Sequence, residues 1–327
     1  MAHEDSAGTG VNRELLKRQV GESGRGQRLD LVAARLFPDY SRARIQAWIR
    51  SGHLRIDGRA SSVREKLLGG EWLSLEIDVP PCGEWPAQAM TLDIVHEDQA
   101  ILVVNKPAGL VVHPGAGNAD RTLVNGLLAY CPDLAGVPRA GIVHRLDQYT
   151  TGLLVVARTL PAHLALVNML KARQVSRYYQ AVVHGRLAGS GTVDAPIGRH
   201  PVRRTRMAVN ERAGKSARTH YETLATYGHY SHLALQLDTG RTHQIRVHMA
   251  HLGHPLVGDP VYGGKRRQRA PLGDSIAERC VGQFARQALH AGQLAFTHPV
   301  TGVEMSWQAP LPDDLAELIG ALEAEYK

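Results

Sequence analysis

From residue 90 onward the chain carries apolar runs that are too short for helices and too continuous for solvent-facing loops. AILVV (100–104), GLLVVA (152–157), YYQAVV (178–183) and HLALQLD (232–238) are each of strand length. Among them only LVNGLLAY (123–130) and AHLALVNMLK (162–171) read as helices. Strands that outnumber helices without alternating with them exclude a regular βαβ winding. They predict an α+β body on a mostly antiparallel mixed sheet. Near the end, PDDLAELIGALEAEY lines up Leu315, Leu318, Ile319 and Leu322 as the apolar stripe of an amphipathic helix.

The N-terminal part reads differently. Residues 1–24 are polar and Gly-rich, which predicts a disordered arm. In LDLVAARLFPDY, Leu29, Val32, Ala33 and Leu36 recur at helical spacing and Pro38 stops the helix. Ser41 reads as the N-cap of a second helix, RARIQAWIR, closed by Gly52. LRIDG then runs into an Asp57-Gly58 turn, and WLSLEI alternates like a strand. Arg42, Arg44 and Arg50 lie on the second helix, with Arg55 just beyond it. Residues 79–89 are rich in Pro and polar groups and read as a linker. The expected division is therefore an arm over 1–24, a small module over 25–80, a linker over 81–90 and a large domain over 91–327.

Charge follows this division. Residues 11–70 hold 13 Lys/Arg against 6 Asp/Glu, a net of +7 that equals the net charge of the whole chain. A basic excess confined to one small module suits a polyanion partner, although a solvated basic surface would read the same. No stretch approaches the roughly 18 apolar residues of a membrane helix, and the polar start MAHEDSAGTG is no secretory signal. Cys82, Cys131 and Cys280 are odd in number and scattered, which argues against disulfides and zinc and for a cytoplasmic protein.

Several familiar motifs fail. Gly214-Lys215-Ser216 ends like a phosphate-binding loop, but Val209 stands where that loop needs glycine. GAGNAD (115–120) ends in Asp120 where a dinucleotide fingerprint needs glycine. His243, His248, His251 and His254 cluster without an H-E-x-x-H pattern or a nearby carboxylate, so no metal set is expected there. Two segments remain. GIVHRLDQYTTGLLVVA (141–157) holds Asp147 in a polar turn between apolar runs, where a turn-capping role is the plain alternative. LDTGRTHQIRVHMAHLG (237–253) runs from strand to helix with Arg241 at the corner, and Ile245, Met249 and Leu252 form the apolar stripe of the helix.

Together these segments resemble the pseudouridine synthases of the ribosomal large-subunit type. HRLDQYTTG fits that family's HRLD-x-x-T-[ST]-G motif. NKPAGLVVHPG (105–115), PRAGIVHRLD (138–147), GRTHQIRVHMA (240–250) and HPLVGDPVYGG (254–264) follow its segments in order. From Arg28 to Ile77 the small module resembles the RNA-binding module named after ribosomal protein S4. Gln148, Tyr149 and the basic stretch 265–274 are where this chain departs from the pattern.

The resemblance implies conversion of uridine to pseudouridine in 23S ribosomal RNA, at the loop of helix 69, by a monomer acting on the RNA or on a large-subunit precursor. The reaction retains every atom and exchanges no electrons, so neither cofactor nor metal is expected. Asp147 is the implied nucleophile, and attack on the ribose, attack on the base ring and abstraction of a ribose proton all remain open to it. A partly desolvated carboxylate needs a neighbouring cation, a role the resemblance gives to Arg241. Tyr179 would stack on the target base, which must leave its own stack to reach Asp147. Ile245 would pack on the other side of the base, and His144 and Arg145 would contact the substrate, Arg145 by filling the vacated space. Arg42, Arg44 and Arg50 would hold the RNA. The competing reading is a non-catalytic RNA-binding assembly protein on the same fold.

Overall fold

The structure, a computed structural model, describes residues 12–37, 42–79, 85–115, 118–203, 206–263 and 275–326. Pro38, Ser41, Cys82 and the 265–274 stretch lie outside the described residues. The chain forms two compact units, Met1–Glu84 and Trp85–Lys327.

The first unit is a three-stranded antiparallel sheet with two helices. Its strands are β1 (Asn12–Gln19), β2 (Leu54–Ile56) and β3 (Trp72–Val79), in the order β1-β3-β2. Helices α1 (Leu29–Leu36) and α2 (Arg42–Ser51) close a core of Leu29, Val32, Ile45, Ile49, Leu54, Leu73 and Leu75. After Ile56 the chain turns through Asp57 and Gly58, both at positive φ, as the sequence signal required.

Of the arm expected over residues 1–24, residues 1–11 lie outside the described residues, and the rest is corrected by β1, which pairs with β3 along its whole length from Asn12↔Val79 to Gln19↔Trp72. An edge strand is kept polar and charged to block further pairing, and NRELLKRQ therefore reads like solvated coil.

The second unit is built on a nine-stranded sheet. Its strands are β4 (Ile94–Glu97), β5 (Ile101–Lys106), β6 (Thr151–Ala157), β7 (Ser176–His184) and β8 (Ser190–Asp194). A separate pair, β9 (Ile197–Arg199) and β10 (Met207–Val209), stands beside it. The main sheet continues with β11 (Arg218–Tyr227), β12 (Tyr230–Leu237), β13 (Leu289–Thr297) and β14 (Glu304–Gln308). The order is β4-β5-β6-β13-β7-β12-β11-β8, with β14 on β13. Among these pairings only β13–β6 is parallel, so the sheet is mixed and mostly antiparallel, as expected.

Alternation explains why the central strands read as continuous apolar runs. Leu102, Val104, Leu154 and Val156 face one core, which α3 (Leu123–Tyr130) covers. Ile101, Val103, Leu153 and Val155 face the other, which α4 (Leu160–Lys171) covers. Helix α5 (Gln244–His251) follows β12, and α6 (Ile276–Gln283) and the closing α7 (Asp313–Tyr326) pack together on a third cluster. The stripe expected on α5 is corrected in part: Gln244 through Met249 are all buried, whereas Leu252 is its exposed C-cap.

The linker expected over 81–90 is shortened from its far end. Trp85 packs against the main core, Pro86 accepts a hydrogen bond from Asn125 at 2.8 Å, and Gln88 donates its backbone N–H to Asn125 at 2.9 Å. Residues 85–90 therefore belong to the second unit.

Candidate active site

A cavity of about 590 Å³ opens in the second unit, lined by Asp147, His144, Arg145, Arg177, Tyr179 and Ile245 among others. A second cavity of about 430 Å³ adjoins it, and Asp147, Arg145, His243 and Arg246 line both. Asp147 therefore stands where the two meet.

The turn that carries Asp147 is fixed residue by residue from its far side. Thr150 donates its N–H to the Asp147 carbonyl at 3.0 Å. Gln148 gives its carbonyl to the Lys106 ammonium at 2.9 Å, and Tyr149 gives its carbonyl to Arg286 at 3.2 Å. The hydroxyl of Thr150 meets Gln287 at 3.1 Å, and that of Thr151 meets the His290 ring at 2.9 Å. Gly152, at φ 110°, passes so close to β13 that a Cβ would lie 2.2 Å from the Ala291 carbonyl. The T-T-G of the motif is thus two hydroxyls tied to buried partners and one position where no side chain fits. Rigid support of this kind is what holds a reacting group in one geometry.

The carboxylate of Asp147 is 15% exposed and accepts from Arg246 Nη1 at 2.9 Å. Arg246 is itself buried, and its Nε and Nη2 grip both oxygens of Asp259 at 2.7 and 2.9 Å. Asp259 also accepts the backbone N–H groups of Val261 and Tyr262 at 2.8 and 2.9 Å, and the Tyr262 ring lies 5.1 Å from the guanidinium. Burial alone would lower the Arg246 pKa, but Asp259 and Asp147 raise it. Burial would lift Asp259, but Arg246 and the two N–H groups hold it below the usual carboxylate value. The plain alternative, a turn-capping aspartate, does not describe this side chain, whose hydrogen bond spans 99 residues of sequence.

The ion pair expected from Arg241 is therefore corrected: Arg246 makes it. Arg241 stands on the exposed loop between β12 and α5, and its Nε donates to the Ser216 carbonyl at 3.0 Å. It still lines the larger cavity. A loop residue at the corner lacks the depth of a residue on the inner face of α5. The available signal was an arginine among Ile245, Val247 and Met249, because a cation in an apolar helix needs buried carboxylates.

The other expected residues are distributed as follows. Tyr179, on β7, is buried in the cavity wall, and burial pushes its phenol pKa up against the opposing charge of Arg177, with a smaller push from Asp147. Ile245 is buried in the same wall, and Arg145 is exposed at the edge. His144 accepts the Val155 N–H at 3.2 Å, and burial beside Arg177 pushes it down to about 3, so its imidazole is neutral. His243, not singled out for this site, is held at positive φ by its place before α5. Its Nδ1 meets the Tyr262 hydroxyl at 2.8 Å and its Nε2 lies 3.9 Å from Asp147. His248 and His254 are engaged elsewhere, with Thr219 and Ala195 and with the His184 carbonyl.

Lys106 was also missed. It is fully buried, and its ammonium donates to the carbonyls of Pro107, Leu110 and Gln148 at 2.7, 3.0 and 2.9 Å. Burial pushes its pKa down to about 7, against the pull of Asp147.

In the first unit, one arginine expected to hold RNA is also engaged within the fold. Arg42 donates from Nε and Nη2 to the fully buried Asp30 at 2.9 and 2.6 Å, alongside Arg28 and Gln46. Arg50 is exposed, and the Arg44 side chain lies outside the described residues.

A carboxylate paired to a buried arginine where two cavities meet, on a mixed α+β sheet, is the site of an enzyme and not of a passive scaffold. The comparisons with known proteins agree. Residues 100–251 match the RNA pseudouridylate synthases and residues 27–72 match the S4 domain. The ribosomal large subunit pseudouridine synthase D of Pseudomonas aeruginosa is 53% identical over 300 residues, covering 92% of this chain and 93% of that protein. Its counterpart from Yersinia pestis is 51% identical over 311 residues, covering 95% of each. Among solved structures, human RNA pseudouridylate synthase domain containing 4 is 27% identical with a TM-score of 0.55, covering 71% of this chain and 93% of its own. The chain belongs to the RNA pseudouridylate synthase family, with an S4 domain ahead of the catalytic domain.

Proposed function

We propose that this protein converts uridine to pseudouridine in the large-subunit ribosomal RNA, at the loop of helix 69, with Asp147 as nucleophile. The observation that carries this reading is the Asp147–Arg246 pair, set where two cavities meet, in a cavity that Tyr179 and Ile245 also line. A uridine turned out of its stack would enter the larger cavity with its ring against Tyr179 and Ile245, at a cost of a few kcal/mol in lost stacking. Arg145, exposed two residues before Asp147, would take the vacated space. The catalytic cycle needs no metal and no redox cofactor, since the product is an isomer of the substrate. We place the protein in the cytoplasm as a monomer, acting on 23S RNA or a large-subunit precursor. An assembly protein without catalysis would have no use for a carboxylate held by a buried arginine in a cavity.

The test is Asp147→Asn in the full chain, assayed on an unmodified 23S transcript, with pseudouridine sites mapped in RNA from cells lacking the protein. Turnover should vanish while RNA binding is kept, and the lost sites should lie in helix 69. Measurable turnover by Asp147→Asn would remove the nucleophile assignment, and lost sites elsewhere in the RNA would remove the target.

A further inference from the structure

Arg177 is a buried cation without a counter-charge. It is 7% exposed and lines the larger cavity. Among the described residues it forms no ion pair. Its Nη2 reaches the Leu237 carbonyl at 3.4 Å, and its Nε has no hydrogen-bond partner among the described residues. A guanidinium carries five N–H donors, and leaving it buried and uncompensated is costly. The contrast with Arg246 and Arg286 is direct, because each of those buried arginines is clamped on a carboxylate.

Two neighbours set where this side chain lies. Strand alternation puts Arg177 and Tyr179 on one face of β7 and turns Tyr178 outward. Gly240 lies against the guanidinium, where a Cβ would come 2.8 Å from Nη1, so the loop before α5 closes over it without a side chain.

Resting on the reading that Asp147 is the nucleophile toward a uridine in this cavity, and taking attack on the ribose among the routes open to it, we infer that Arg177 binds the uracil ring as negative charge develops on it. The chemistry gives such a group a role. When the N1–C1′ bond breaks, its electron pair stays on the base, and C1′ bonds to the Asp147 carboxylate. The freed uracil is an anion, with its charge spread over N1, O2 and O4. After the ring turns, C5 attacks C1′ and the carboxylate leaves with its electron pair. C5 then gives its proton to solvent and N1 takes one back, so nothing is gained or lost. Two residues along a strand span about 6.6 Å, so a ring stacked on Tyr179 brings one edge over Arg177. A phosphate would lie at the mouth of the cavity, not against a side chain this deeply enclosed. A fixed donor aimed at charge that appears only during reaction acts on the rate and not on ground-state binding.

The experiment compares Arg177→Met, Arg177→Lys and Asp147→Asn in the full chain on the same unmodified 23S transcript. Single-turnover rate, RNA affinity and melting temperature are read for each. Arg177→Met should lose about 10²–10³-fold in rate, the scale for one such donor. Its RNA affinity should stay within about threefold and its melting temperature should hold or rise, since an uncompensated buried charge is removed. Arg177→Lys should fall between it and the parent in rate, at parental affinity. It carries the test if the methionine variant does not fold. A Met variant within threefold of the parental rate, or a Lys variant that loses affinity at an unchanged saturated rate, overturns the inference. If Asp147→Asn is active, the underlying reading falls instead. If it is dead while Arg177→Met is active, only the role of Arg177 falls.

Discussion

Asp259 holds Arg246 through both carboxylate oxygens, which leaves Nη1 of Arg246 as the group that meets Asp147. The two carboxylates divide one guanidinium. Asp259 orients it from within the fold, and Asp147 uses what remains at the cavity wall. This division separates a structural from a catalytic effect in a way that single substitutions do not.

Arg246→Met leaves Asp259 buried without its counter-charge, so it should cost about 3–5 kcal/mol of stability as well as activity. Adding Asp259→Asn removes the stranded charge while keeping an acceptor for the Val261 and Tyr262 N–H groups. The double variant should recover most of the stability and none of the activity. Arg241→Met should keep stability and most of the activity, because its hydrogen bond is made to the Ser216 carbonyl on an exposed loop. Denaturant unfolding beside single-turnover assays decides this, and an active double variant would show that Asp147 does not need Arg246.

What could be read from the sequence follows from how locally each feature is determined. The strand runs, α3 and the stripe of α7 are written in neighbouring residues, and all of them form. Asp147, Tyr179 and Ile245 line one cavity, although they come from a turn, a strand and a helix far apart in the chain. The choice between Arg241 and Arg246 was not local. It depends on which of two arginines five residues apart faces Asp259, and that is a matter of burial, not spacing. Lys106 was hidden for the same reason, since its partners are backbone carbonyls that leave no mark in side-chain identity. The polar β1 was hidden because an edge strand and a disordered arm share a composition.

Lys106 gives a pH dependence with a defined sign. Its folded pKa is pushed down from 10.5 to about 7 by burial. Between those values the unfolded chain binds the extra proton and the folded one does not, so the Lys106 contribution to stability rises with pH. Below pH 7 the side chain is charged in both states and the cost of burying it is fully present. Comparison with Lys106→Met isolates the effect. Parental stability relative to that variant should climb from about pH 7 towards pH 10, with a slope of at most about 1.4 kcal/mol per pH unit. A difference that stays flat in urea titrations across that range would mean Lys106 keeps its ordinary pKa in the fold.

The last prediction concerns the small module, where two exposed arginines of α2 should behave differently. Arg50 is exposed in the last turn of the helix, with no partner among the hydrogen bonds and ion pairs of the described residues, so its charge is available to a phosphate. Arg42 is also exposed, but its Nε and Nη2 are committed to Asp30, which is wholly buried. Burial works against the charged form of Asp30, yet Gln46, Arg42 and Arg28 hold its pKa below the usual carboxylate value. Each phosphate contact contributes about 0.7–0.9 to the slope of log affinity against log salt. Arg50→Gln should therefore flatten that slope by nearly one unit and raise KM, with turnover at saturating RNA unchanged. Arg42→Gln should change the slope by much less and instead cost the module about 1 kcal/mol, since half of that ion pair is solvent-screened. Fluorescence anisotropy on labelled 23S fragments from about 50 to 200 mM salt, beside thermal melts, gives both readouts. Equal slope losses for the two variants would show that Arg42 releases Asp30 to engage RNA. A loss confined to turnover, with the slope intact in both, would show that the module orients the substrate instead of holding it by charge.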